Sequence, residues 1–215
     1  MVYEVSDLMI EVRTALDMNT SSAALLAEDD VDTLSLDDII RSKLARAARV
    51  VEESAPRHLL DYGKVIGDTI NWHGEIGKGS GMMKLPDDFM RLISFQMDDW
   101  ERPVTEAVDE DSAEYRKQKS RYAGIRGTPQ RPVVAIVQRP TGQYLEFYSC
   151  VKGEDVKLLR ARYLPYPKIG ADGGIEICEK LKDAVVHYTA YLTALTFGEQ
   201  ELAAAVKSIA EELMT

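Results

Sequence analysis

Three groups of carboxylates are the residues best suited to chemistry in this 215-residue chain: Asp87 and Asp88, Asp98 and Asp99, and Asp109, Glu110 and Asp111. Hard oxygen ligands in such number suit Mg²⁺. A nuclease or another phosphoryl-transfer enzyme would use the bound ion to stabilise charge on phosphate. Such a centre needs carboxylates converging from different elements, however, and neighbours in sequence point in different directions. Asp87 and Asp88 equally fit the cap of a helical turn in "LPDDF", and the later acids fit a solvated surface.

The other reactive residue types form no recognisable constellation. The segment "GEIGKGSG" at 74–81 lacks the GxxxxGK[ST] spacing of a phosphate-binding loop and reads as a hairpin tip. His58, His73 and His187 include no pair four residues apart, the spacing that places two imidazoles on one helical face for zinc. Cys150 and Cys178 have no CxxC pattern and read as small core residues. On one helix, Cys178 and His187 would stand about 13 Å apart along the axis, too far for a nucleophile and its base. Cys150 with His187 stays open as a pairing, but no oxyanion-hole loop completes it. No catalytic residue, metal or cofactor is therefore assigned.

Charge is more informative. The net charge of −10 opposes broad attraction to a nucleic-acid backbone. It is also segregated: residues 98–114 hold eight acids and one base, and residues 115–139 hold seven bases and no acid. The basic run interleaves Arg116, Lys117, Lys119, Arg121, Arg126 and Arg131 with Tyr115 and Tyr122. It could hold a nucleic-acid strand, dock on the acidic run before it, or lie bland on the surface. A subunit with one acidic and one basic face can also bind its own copy head to tail, and closure of that contact makes a ring.

The elements that must position these residues follow from periodicity. Val5, Leu8, Met9, Val12, Ala15 and Leu16 predict a first helix, followed by a connector with a helical turn at 23–27. A second helix starts at Ser35, where "SLDD" sets a capping side chain three residues before Asp38, and Asp37 can pair with Arg41. Its stripe is Leu36, Ile40, Leu44, Ala47 and Val51, and Pro56 ends it. Residues 63–81 hold six glycines and read as a loop or hairpin. Ile93, Phe95 and Met97 alternate as a half-buried strand. Strands at 133–138 and 143–148 flank "RPTG", and after a turn at "KGED" a strand at 156–163 completes an antiparallel meander, with the 91–97 strand as a neighbour.

Ile177, Leu181, Ala184 or Val185, Tyr188, Leu192 and Leu195 then stripe a helix that Gly198 ends, and a last helix from Glu199 to Met214 carries the seam Leu202, Val206, Ile209 and Leu213. The expected fold is α+β: a helical bundle from the terminal segments, 1–60 and 175–214, with an inserted strand-rich middle at 64–168, all one domain. No apolar run is long enough to cross a bilayer, and "MVYEVSDLMIEV" is not a signal peptide, so a cytoplasm-like compartment is expected.

This layout resembles the head-to-tail connector proteins of tailed bacteriophages, also called adaptor or ring proteins. The likeness rests on two N-terminal helices, "LPDDFMRLISF" leading to "WERPV", the segment "EYRKQKSRY", the β-meander, "RYLPYP", and a C-terminal helix pair broken near Gly198. It implies a non-enzymatic virion protein, made in the host cytoplasm, that forms a ring matching the portal's symmetry. That ring would extend the channel through which DNA passes without sequence-specific binding, and would meet the portal above and the next tail or neck protein below. On this reading Trp100 is a buried interface anchor. Asp109, Glu110 and Asp111 lie on a contact surface or an acidic channel wall, and the basic run forms the opposing contact. The last helix, with Leu202, Val206 and Ile209, would carry the portal contact; with only Thr215 after Met214, the helix itself or the loops would have to make it. A metal-dependent nuclease and a non-assembling cytoplasmic binding module are the alternatives.

Overall fold

A computed structural model describes residues 1–16, 35–67, 69–73, 79–120, 122–151 and 156–215. The expected connector before Ser35, the "KGED" turn, Arg121 and most of "GEIGKGSG" lie outside the described residues. The fold is mixed α+β with antiparallel sheets, as the order of periodic segments predicts. It divides into two compact units, Met1–Asp61 with Tyr166–Thr215, and Tyr62–Pro165.

In the first unit, β1 (Val2–Glu4) runs into α1 (Val5–Ala15), which buries Val5, Leu8 and Val12. Then α2 (Leu36–Ser54) opens on a capping box in which Ser35 Oγ accepts from the Asp38 amide and the Asp38 carboxylate accepts from the Ser35 amide. Two orphan donors are thereby satisfied, a device that contributes about 1 kcal/mol. The predicted stripe Leu36, Ile40, Leu44, Ala47 and Val51 is buried, and the helix ends at Ser54, two residues before Pro56. Asp37 pairs with Arg13 of α1 at 2.5 Å instead of with Arg41: the tertiary ion pair replaces the local one.

The C-terminal helices are α4 (Lys182–Phe197) and α5 (Gln200–Glu212); the predicted stripe is buried at Ile177, Leu181, Ala184 and Val185, but further along α4 and on most of α5 the buried face departs from it. Buried on α4 are Ala184, Val185, Val186, Thr189, Ala190, Thr193 and Ala194, and on α5 Ala203, Val206 and Ala210. Of the predicted seam only Val206 is buried; Leu202 is half-buried, and Ile209 and Leu213 are exposed, as is Leu195 on α4. Small residues let the two backbones approach across a one-glycine connection, where Gly198 adopts the left-handed conformation (φ 77°). The buried Thr189 and Thr193 hydroxyls donate to the carbonyls one turn back, at 2.7 and 2.9 Å. After a turn at 171–173, β10 (Gly174–Glu176) pairs antiparallel with β1.

In the second unit, β2 (Lys64–Val65), β5 (Phe89–Met97) and β9 (Leu158–Pro165) form one sheet in the order β2-β9-β5. The other sheet runs β3-β4-β8-β7-β6, with β3 (Asn71–Trp72), β4 (Gly81–Lys84), β6 (Val108–Asp109), β7 (Val134–Arg139) and β8 (Gly142–Phe147). The "RPTG" hairpin forms as expected, with Gly142 at φ 123°, but the meander does not continue. Both edges of β8 are taken by β4 and β7, so β9 crosses to pair with β5. Between the sheets lies one apolar core, including Met83, Phe95, Met97, Trp100, Leu145 and Phe147. The outer face of β7 and β8 carries Ala135, Val137, Tyr144 and Tyr148, and a six-residue helix that the periodicity does not reveal, α3 (Ala113–Gln118), covers it with Tyr115.

Candidate functional site

The site begins with the anchoring of α3. Ser112 caps it by accepting from the Tyr115 amide at 3.1 Å. Tyr115 is buried, and its hydroxyl donates to Glu146 at 3.0 Å. Glu146, on the outer face of β8 and only 2% exposed, also accepts from the Tyr148 hydroxyl and from the Arg139 guanidinium at 2.5 Å. Burial pushes the Glu146 carboxyl up, but the hydrogen bonds from Tyr148, Arg139 and Tyr115 outweigh it and hold the group below the usual glutamate range. Burial, and then Glu146, push the Tyr148 phenol above its ordinary value, so it stays a donor.

From that anchor α3 faces the chain that follows it. Buried Gln118 accepts from the Gly127 amide at 2.7 Å, which ties residues 124–133 to the helix. Gly127 has to be glycine here, because a Cβ would lie 2.3 Å from Ser149 Oγ, itself held by the Val133 amide at 2.9 Å. Between α3 and this segment opens a groove of about 590 Å³. Its charged lining is Arg102, Lys117, Arg126 and Arg131 against a single carboxylate, Glu114. Lys117 lies 3.9 Å from Glu114, and the Arg126 guanidinium donates to the Ser120 carbonyl. Among the described residues, Arg102, Arg126 and Arg131 make no ion pair.

The residues singled out by sequence separate into used and free groups. Asp88 accepts from the Tyr163 hydroxyl at 2.8 Å, within a β-turn rather than a helical turn: the Phe89 amide bonds back to the Pro86 carbonyl. Asp98 accepts from the Lys157 amide at 3.0 Å, and Asp99 from the Val151 amide at 2.7 Å. Glu110 accepts from the Gln138 amide at 3.3 Å, while Asp109 is exposed on β6, the last strand of its sheet among the described residues, and Asp111 is exposed in the turn after it. Among the described residues no three His, Cys, Asp or Glu side chains converge as a metal site would require. Arg116 and Lys119 are exposed, the latter 4.3 Å over the Tyr115 ring.

Trp100 is a correction. It is 3% exposed and packs in its own unit's core, 5.6 Å from Phe95 and 6.4 Å from Phe147, so its ring is filled from within and is no surface anchor. Sequence reading also missed Arg102, which stands among acids in sequence and joins the bases only in space, and the Glu146 network. The signal for Glu146 was present: on β8, Leu145 and Phe147 face the core, so Tyr144, Glu146 and Tyr148 must share the other face.

Both thiols are buried and protonated. Burial, then Asp99, raises Cys150; burial, then Glu52, pushes Cys178 up to about 12. The native protein should therefore leave a disulfide reagent unconsumed at pH 8 over an hour, and consume two equivalents once unfolded in urea; fast reaction of either thiol in the native protein would contradict this burial. No protein-family model matches the chain, and no curated protein is significantly similar to it.

Proposed function

We propose that this chain is a non-enzymatic ring subunit of a phage neck, seated between portal and tail. Its terminal helices would serve as a connector-type helical bundle and its strand-rich middle as the inserted antiparallel domain. The observation that carries the reading is the segregation of charge: Asp109 is exposed on an edge strand and Asp111 in the turn after it, Arg116 and Lys117 are exposed on the helix that follows and Lys119 at its C-cap, and among the described residues only Lys117 of these bases makes an ion pair. A subunit that displays both signs unneutralised is suited to binding its own copy. Engagement of Asp88, Asp98 and Asp99 in hydrogen bonds favours this reading over a metal-dependent nuclease.

The test is solution mass and negative-stain imaging over a wide range of concentration and salt, alone and with the portal of the same virion. Closed rings that dissociate as salt rises are expected, since exposed charge pairs are screened over about 8–10 Å at 0.1–0.15 M salt. Failure to form a ring under any of these conditions, portal included, would overturn the proposal.

A further inference from the structure

Resting on the ring reading, we infer that the groove between α3 and residues 124–133 is the socket for the acidic edge of a second copy, with Asp109 and Asp111 of that copy seated among Arg102, Lys117, Arg126 and Arg131. The groove has the makings of a carboxylate site. Its bases come from separate stretches of sequence, and three of them are guanidiniums, whose planar forks match carboxylates. Its two walls are tied by hydrogen bonds: Tyr115 donates to Glu146, and Gln118 accepts from Gly127. Its volume of about 590 Å³ suits a short segment carrying a few side chains.

Two features favour a carboxylate segment over a nucleic-acid strand. Glu114 stands in the lining and Asp111 lies just ahead of the α3 cap, so a continuous polyanion would meet like charge, whereas single carboxylates can pair base by base. The net charge of −10 opposes a polyanion again at long range. The matching surface is on the same chain. β6 is a two-residue strand paired, among the described residues, with β7 alone; Asp109 is exposed on it and Asp111 is exposed in the turn that follows.

The experiment is a charge exchange read by sedimentation at low salt. One variant carries Arg102→Glu and Arg131→Glu, side chains without an ion pair among the described residues; the other carries Asp109→Arg and Asp111→Arg. Each alone should associate at least about 100-fold more weakly than the parent protein. Mixed in equal amounts they should associate again, because each now offers the charge the other lacks; recovery also shows that both are folded. A recovered species of ring size supports socket and ring together, while a recovered dimer supports the socket and leaves assembly on the portal to judge the ring. If the parent assembles and both variants still do, the socket is wrong and the ring reading stands. If the parent stays monomeric alone, the socket as a self-sufficient contact is overturned, and assembly on the portal judges the ring reading separately. Loss of binding to a labelled single-stranded oligonucleotide in the Arg102 and Arg131 variant, without recovery on mixing, would assign the groove to nucleic acid instead.

Discussion

Glu146→Ala is expected to destabilise the Tyr62–Pro165 unit by about 2–4 kcal/mol at neutral pH, and by less in acid. The substitution removes the shared acceptor of two tyrosine hydroxyls, one of them fully within the structure and the other half-buried, and leaves both without it. An orphaned buried hydroxyl costs about 1–3 kcal/mol, and breaking a buried charge pair about 3–5 kcal/mol. The lower figure applies here because the Arg139 side chain is 43% exposed and its pairing is screened by water. The sign with pH follows from the direction of the shift. The folded carboxyl lies below its unfolded value, so its stabilisation is complete above the ordinary glutamate pKa of about 4.3 and is lost as pH falls through the folded value. Both tryptophans, Trp72 and Trp100, belong to this unit, so their fluorescence reports its unfolding in urea. A difference between parent and variant that is as large at pH 3 as at pH 7 would show that Glu146 acts by packing and not by charge. Glu146→Gln retains an acceptor and should lose roughly half as much.

What could be read from the sequence was local. The α2 cap and stripe were legible because capping and burial both act within a few residues of the same chain segment. The start of the α4 stripe and Val206 of α5 were read correctly, but the rest of the two faces was not, since a hydrophobic stripe favours the large residues, whereas a close helix pair buries its alanines and threonines and leaves Ile209 and Leu213 outside. The 91–97 strand was expected beside the meander and does pair with β9, but the separation of β9 from β8 was illegible for another reason: whether a strand joins its predecessor depends on which edges are already occupied, and β4 had taken the second edge of β8. The groove was half legible. The bases in residues 115–131 announce it, but α3 has too few residues for a period, and Arg102 looks like the odd base in an acidic run until the fold brings it across.

Phe147→Ala, one residue along the same strand, should be costlier and should lack the pH dependence. Phe147 is fully buried on the opposite face of β8, 5.3 Å from Trp72 edge-on, 5.5 Å from Phe95 and 6.4 Å from Trp100. Removing a ring from such a cluster costs about 3–5 kcal/mol, through lost transfer energy and the cavity left behind. Against a total of about 5–15 kcal/mol for an ordinary domain, that is enough to leave the unit marginal. The ring's seat depends on its cross-strand neighbour, Gly81, where an added Cβ would lie 2.7 Å from Phe147 Cζ and 3.1 Å from the Asn71 carbonyl. Gly81→Ala alone should therefore destabilise by crowding. Added to Phe147→Ala, the same methyl enters the emptied space, and only the Asn71 contact still opposes it. The double variant should consequently be more stable than the sum of the two single losses predicts, by about 1 kcal/mol or more, as in other pairs that share one cavity. Urea midpoints followed by tryptophan fluorescence at pH 7 and pH 3 measure all three variants; strictly additive losses would show that Gly81 is held by its backbone and not by the Phe147 ring.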